Sequence, residues 1–549
     1  MFLIKQKDFF VICSDDYSNS VSERYRIDTD SGFNEKSFMG YCFQDNRLFH
    51  ELYNEIPDIS ALEDTYYYNC GVFCAIIIEK STRIFTDPMG QYPVFYYHNG
   101  NSFIVSNNFF AISSILNNKN INIDCMVDYV TYLSPLKQET ILENVYRLSS
   151  YQSIKIKNES FLVVKHNNYL LDLDYNELLN ITANRMKLRA KALLEKHKPV
   201  CHLTGGGDSR LALASLLSSG FEGNVFSYGD GRSEDRLISN LVATTYNLTP
   251  GTVKKFGLHV NDLKKYVNMV VAFNGIKSAH FSNWGSGSDK GYCEVTGYFG
   301  EIIKGFGSIN FKKDKFPSRI SYHDYYRKHS NFDGDIFDQA DLRVTEELRD
   351  KQHFDSSILN NILFYLRNRC SSHCGMHSVV SNRRFISIDL DYDPLLLSLV
   401  NSCKYSEAHI KAGAITVDLI KTIHSTKLAT LPYQGRVIPK FTKWIKDLDI
   451  PLSCTERYNP EHEMLEKMKV DHIYKEPDLN FNKLGVENYR FNGPTALYQS
   501  PHFLKFYQDY PVFLSALSAK KGDKRFELTT LSSLIVCELI TKKEIYSFL

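Results

Sequence analysis

Neither charge is in excess: 64 Lys and Arg stand against 63 Asp and Glu. A nucleic-acid or anionic-membrane binder shows a basic excess or patch, so the balance argues against both kinds of partner. Long hydrophobic runs are missing as well. The most apolar stretch, Cys70 to Ile78, is far too short to span a bilayer. Met1 to Phe10 hold no apolar segment of signal-peptide length and no small-residue cleavage site, so a cytoplasmic protein is expected. The 12 Cys follow no disulfide-like spacing and are expected to be buried thiols in a reducing compartment. No internal repeat is visible.

What is present is ordinary globular material in quantity. At 549 residues the chain is too long for one core, and 43% hydrophobic with 23% charged residues fits two or three packed domains. Residues 1–168 are β-rich. Phe9 to Ile12, Val72 to Ile78, Val94 to Tyr97 and Phe103 to Val105 are short aromatic and β-branched runs, separated by turn signals such as Asp87-Pro-Met-Gly90. Ser153 to Lys157 and Phe161 to Lys165 form a hairpin pattern across Asn158. These runs predict a layered β-sandwich.

The pattern changes in residues 175–549. Tyr175 to Lys196 has helical periodicity through Leu178, Leu179, Ile181 and Met186. A short apolar strand, Val200 to Thr204, then runs into three glycines and a helix from Ser209 to Ser218. Strand, glycine turn and helix open a doubly wound parallel α/β domain. A mostly helical extension is expected beyond residue 310, with a helical tail from about 500.

The glycine turn reads Thr204-Gly205-Gly206-Gly207-Asp208-Ser209-Arg210. Backbone amides freed by glycine and the positive end of the following helix suit an anion. Asp208 would repel a bare phosphate and makes sense holding a Mg2+ that bridges to pyrophosphate. The turn has no Lys for a Walker-type loop and no third glycine for a dinucleotide fingerprint. It is close to Ser-Gly-Gly-x-Asp-Ser, the pyrophosphate loop of ATP pyrophosphatases; a plain glycine-rich turn is the bland alternative. Arg210 suits a phosphate, a substrate carboxylate or a salt bridge on the helix, and His202 in the entering strand is read as structural.

From about residue 65 to 445 the chain resembles the asparagine synthetase superfamily, which includes β-lactam synthetases and lasso-peptide cyclases. Thr86-Asp-Pro-Met-Gly-Gln-Tyr-Pro-Val-Phe-Tyr96 looks like the RDPxGxxPLYY hairpin of the family's glutaminase-like domain, and Thr140 to Leu148 fits the segment before its closing strands. Phe226-Ser227-Tyr228-Gly229 looks like the second-strand FSxG beside the adenosine, followed by Asp235 opening a helix. Val295-Thr296-Gly297-Tyr298-Phe299-Gly300-Glu301 looks like LTGYGSD, with Glu301 where the family has a Mg2+-holding Asp. Arg384 to Asp389 matches the spacing of RxPFLD.

The resemblance implies an Ntn-hydrolase-type sandwich joined to an ATP pyrophosphatase domain. ATP would lie on Thr204, Gly205, Gly206, Gly207, Asp208, Ser209, Ser227, Tyr228, Gly229, Gly297 and Tyr298, with Mg2+ on Asp208 and Glu301. A late cation would stabilise charge on the acyl group, and Lys440 and Arg436 are both candidates. The implied reaction activates a small-molecule or peptide carboxylate as an acyl-adenylate and passes it to ammonia or a substrate amine. A macrolactam-forming or other specialised ligase is the favoured expectation. An ammonia-using asparagine synthetase, a tRNA-modifying ATP pyrophosphatase and a non-catalytic homologue are the alternatives. No nucleic-acid or membrane partner is expected, and a homodimer is compatible with the sequence.

Three departures stand out. Position 2 is Phe2, where glutamine-hydrolysing relatives expose a Cys, and no RGPD or NGEIYN segment is found, so the N-terminal domain is expected to be a degenerate scaffold. Phe299 replaces a glycine, so its loop is expected to bend differently or face another substrate. The Arg436-to-Lys440 spacing is longer than usual. Cys370, His373, Cys374 and His377 would share one α-helical face, which fits core packing or an acyl-acceptor pocket better than zinc. Asp391 and Asp393 are read as helix-start and loop carboxylates.

Overall fold

A computed structural model of the chain describes residues 2–5, 9–18, 20, 36–53, 55–100, 102–132, 134–158, 160–167, 170–227, 234–252, 270–276, 293–304, 342–343, 357–383, 385–405, 409–410, 413–433, 532–533, 535–537 and 539–540. The first part is two antiparallel sheets. One has the order β1-β2-β8-β7-β9, formed by β1 (Phe2–Lys5), β2 (Phe10–Cys13), β8 (Ser102–Ser106), β7 (Phe95–Asn99) and β9 (Val145–Arg147). The other has the order β11-β10-β6-β5-β3-β4, formed by β11 (Ser160–Lys165), β10 (Gln152–Lys157), β6 (Thr82–Thr86), β5 (Phe73–Ile78), β3 (Lys36–Gln44) and β4 (Arg47–His50).

Alternation decides which faces meet. Phe10, Ile12, Phe103 and Val105 share one buried cluster with Phe38, Phe73, Phe85 and Ile154 of the other sheet. Their neighbours Val11, Cys13, Ile104 and Phe95 point the other way, onto α2 (Phe109–Ile115) and α3 (Ile123–Tyr132). A short α1 (Ile59–Asp64) precedes β5. The hairpin expected at residues 153–165 pairs Lys157 with Ser160, and Asn158 takes a left-handed φ of 47°. Strands β1, β3 and β4 were not apparent from the sequence, because their polar and aromatic residues do not form a clean alternating run.

The second part is a five-stranded parallel sheet, β14-β13-β12-β15-β16, of β12 (Val200–His202), β13 (Asn224–Ser227), β14 (Thr249–Thr252), β15 (Cys293–Thr296) and β16 (Ile386–Asp389). In chain order this is 3-2-1-4-5, so the winding reverses between β12 and β15. The crevice at such a reversal, beyond the carboxyl ends of the strands, is where open α/β sheets bind ligands. Around the sheet lie α4 (Tyr175–Lys196), α5 (Gly207–Leu217), α6 (Glu234–Thr245), α7 (Ser357–Tyr365), a π-helix (Leu366–Gly375), α8 (Met376–Asn382), α9 (Leu395–Asn401), α10 (Ala414–Ile423) and α11 (Thr426–Thr430). Asp174 caps α4 by accepting the amides of Asn176 and Glu177 at 2.8 and 3.1 Å. Helix α5 begins at Gly207, two residues before the sequence expectation, so Asp208 and Ser209 belong to its first turn. Among the described residues, no helix is long and apolar enough to cross a membrane.

Buried polar contacts join the two parts. The carboxylate of Asp87 accepts the amides of Gln91 and Tyr92 at 2.9 Å each, which fixes the Asp87-Pro-Met-Gly90 turn, and it also accepts the Tyr392 hydroxyl. Gln91 Nε2 donates to the carbonyl of Leu366 and Arg147 to that of Arg367, so side chains of the sandwich satisfy carbonyls at the start of the π-helix. Gly375 lets that helix lie against the Gln91 carbonyl, where a Cβ would collide. The imidazole of His50 accepts the Leu52 amide at Nδ1, so its Nε2 donates to Asn382 Oδ1 at 2.6 Å. Burial holds His50 neutral, with a pKa lowered to about 4.

Candidate active site

The glycine turn leaves β12 at the reversal point, and the turn after β15 faces it. Gly297 is where they touch: a Cβ there would lie 2.6 Å from the Asp208 carbonyl carbon and 2.7 Å from the Ser209 amide nitrogen. At Gly300 a Cβ would collide with the Asp208 carboxylate itself. Both glycines are therefore demanded by close approach of a helix start. Gly297→Ala is expected to force α5 away from β15 and cost at least about 1–3 kcal/mol, the range for overpacking. Thermal melts of the variant check this, and an unchanged midpoint would mean the turn yields.

Within the glycine turn, several donors are already used. The Ser209 hydroxyl accepts the Thr204 amide at 3.0 Å and contacts the Thr204 hydroxyl at the same distance. Thr204 Oγ1 accepts the Gly206 amide at 3.1 Å, and Asp235 of α6 accepts the Gly205 amide at 2.8 Å. Asp235 thus braces the loop rather than merely opening its helix. The N-terminus of α5 has no side-chain cap. A positive helix end without a side-chain cap is suited to an anion.

Two cationic side chains define the rest. Lys304 ends a 3-10 helix, Gly300–Lys304, and only 9% of its side chain is exposed. Its ammonium sits 2.5 Å from Asp208 Oδ1 and 3.4 Å from Glu301 Oε1. Spacing of i and i+3 on a 3-10 helix puts Glu301 and Lys304 on one side. Asp208 and Glu301 thus both border one ammonium, that of Lys304. Lys304 was missed in the sequence; its only signal was the three-residue step from Glu301.

Arg210 is fully buried. Its guanidinium donates to the carbonyls of Leu431, at 2.6 Å, and Pro432, and lies 3.7 Å over the Tyr433 ring, where a salt bridge on the helix was one expectation. It therefore anchors the segment that leads toward Arg436 and Lys440. Those two residues, with Tyr228, Gly229 and Arg384, lie outside the described residues.

No family model matches the chain, and no curated protein does. Phe299 does not face the site: the ring is buried 4.5 Å from that of Tyr392. Tyr298 is half-buried beside His377, 4.9 Å between ring centres. His377 follows the π-helix, so the α-helical face expected for Cys370, His373, Cys374 and His377 does not form. Cys370 and Cys374 are buried, and Cys374 Sγ contacts the Tyr298 carbonyl at 3.4 Å. Among the described residues, no three His, Cys, Asp or Glu side chains gather as a metal group.

Buried carboxyls lie at the end of β16, Asp389, and just after it. Asp389 accepts the Thr296 hydroxyl and, at 3.4 Å, the Tyr298 amide, while burial pushes its pKa up to about 6. Asp391 is fully buried, and among the described residues neither of its side-chain oxygens has a hydrogen-bond partner. Burial, then the neighbouring Asp389 and Asp208, push its pKa well above that of an ordinary carboxyl. It does lie in the turn after β16, as the sequence suggested, but buried. Asp393 does start a helix, with Oδ1 accepting the Leu395 amide at 3.0 Å, and its other oxygen pairs with Arg185 and Arg189. In the sandwich, Cys13 is buried and its thiol is pushed up to about 12, chiefly by burial.

Proposed function

We propose that the chain is an ATP-dependent, amide-forming ligase of the asparagine synthetase type, with a glutaminase-like sandwich that no longer hydrolyses glutamine. The observation that carries this reading is the meeting of two glycine turns at the reversal point of the parallel sheet, around an uncapped helix N-terminus with Asp208 in its first turn. This is a place for the diphosphate end of a nucleotide, and the order of sequence motifs along the chain supplies the rest.

In the first step a substrate carboxylate oxygen attacks the α-phosphorus of ATP, and the bond to the β-phosphate oxygen breaks. An acyl-adenylate and pyrophosphate result. The amides at the start of α5 receive negative charge that builds on the leaving pyrophosphate. An amine then attacks the acyl carbon, AMP departs, and the amine loses a proton as the amide forms. The amine is ammonia or a group on the substrate. At neutral pH a buried thiol raised to about 12 has almost no thiolate, so Cys13 does not serve as a glutaminase nucleophile.

The family implies Mg2+ at Asp208 and Glu301. These are the right kind of oxygen donors, but both are engaged by the Lys304 ammonium, and a divalent ion does not fit beside it as the side chains lie.

The products test the reading. Purified protein incubated with ATP, candidate carboxylates and ammonia or a cell extract is expected to yield AMP and pyrophosphate when the right acid is present. ADP and phosphate as the carboxylate-dependent products would overturn it.

A further inference from the structure

We propose that Lys304 is the resident cation of this site, holding with its side chain the place between Asp208 and Glu301 that a protein-bound divalent ion would take. This deepens the ligase reading and rests on it for the identity of the anion, a diphosphate.

Three observations carry the proposal. The ammonium lies 2.5 Å from one carboxylate and 3.4 Å from the other, with only 9% of the side chain exposed. A lysine this buried is stable as a cation only where carboxylates compensate its desolvation, and here two do. The close approach is also built in from the backbone: Gly300 has no side chain where the Asp208 carboxylate lies, and Gly297 admits the first turn of α5.

The charges then have a definite sense. Asp208 at the start of α5 suits the helix dipole, yet it would repel an arriving diphosphate. Lys304 neutralises Asp208 and shares Glu301, so an anion meets a cationic donor beside the helix N-terminus without a metal being recruited by the protein. A divalent ion arriving at the same carboxylates would meet the ammonium's like charge and must displace it. Divalent ions that enter with the nucleotide are carried by its phosphates and do not need these two residues.

Two binding measurements on the full-length protein test this. In the first, Mn2+ binding to nucleotide-free protein is followed by electron paramagnetic resonance. Wild type is expected to show no Mn2+ site that depends on Asp208. Lys304→Met is expected to bind Mn2+ roughly tenfold or more tightly, through removal of one repelling charge, and to lose that gain when Asp208→Asn is added. Lys304→Gln, which keeps a donor but no charge, serves where the methionine variant folds poorly. In the second, inorganic pyrophosphate is titrated in the presence of chelator. Wild type is expected to bind it, and either Lys304 variant to lose roughly tenfold or more.

An Asp208-dependent Mn2+ site in wild type, or equal Mn2+ affinity in wild type and variants, overturns the proposal. Raised Mn2+ affinity in the variants with no pyrophosphate binding by any form keeps Lys304 as the resident cation and removes the nucleotide reading instead. Pyrophosphate that binds wild type and variants equally overturns the assigned role of the ammonium.

Discussion

Asp393→Ala is expected to destabilise the protein by about 3–5 kcal/mol, the cost of removing one partner from a buried ion pair. Asp393 is fully buried, and its Oδ2 lies 2.6 Å from Arg189 Nη1 and 2.9 Å from Arg185 Nε. Arg189 is itself buried and also donates to the Leu390 carbonyl, while both arginines contact Cys70 Sγ of the sandwich at 2.8 Å. The carboxylate thus ties α4, the turn after β16 and the sandwich together. Alanine would strand a buried guanidinium with no counter-charge.

The pH dependence gives an independent check. Burial opposes the charge on Asp393, but Arg185 and Arg189 outweigh it and hold the pKa at about 2. A depressed carboxyl stabilises the fold above its unfolded value of about 4, and that contribution is lost as pH falls toward 2. The gap between wild type and Asp393→Ala is therefore expected to narrow over this acid range. Chemical unfolding at several pH values measures it, and a gap independent of pH would place the stabilisation elsewhere.

Asp208→Asn is expected to slow adenylation by roughly a hundredfold to a thousandfold, the scale for losing a site's central electrostatic partner. Asparagine keeps the size that Gly300 accommodates but drops the charge that holds Lys304 at 2.5 Å. The ammonium would be left to Glu301, which is already 3.4 Å away and more exposed. The rate of carboxylate-dependent AMP release is the readout, with circular dichroism to establish that the variant is folded. Activity within a few-fold of wild type would mean that Asp208 is not needed to hold the ammonium that meets the phosphates.

Much of the architecture was legible in the sequence because local signals and tertiary packing agree. The runs at Val72 to Ile78 and Phe103 to Val105 became β5 and β8, and Tyr175 to Lys196 became α4 to the residue. The strand, glycine turn and helix at Val200 to Leu217 were visible because glycines punctuate sharply between two apolar elements. Contacts between distant segments were not legible. The place of Arg210 after Ser209 suited an anion or a salt bridge on its helix, yet its partners are carbonyls more than two hundred residues away. Lys304 gave no signal beyond its spacing from Glu301, because its other partner, Asp208, is brought to it by the sheet. The π-helix was hidden for a similar reason: carbonyls at its start are satisfied by Gln91 and Arg147 from the sandwich.

One measurement bears most directly on the chemistry: isotope exchange between radiolabelled pyrophosphate and ATP, without any amine. Adenylation is reversible before the amine attacks, so label is expected to enter ATP only when the correct carboxylate is added, and to fail in Asp208→Asn. Label that never enters ATP with the substrate bound, while ADP accumulates, would mean that the carboxylate is not activated at the α-phosphorus and that the crevice between β12 and β15 serves a different reaction.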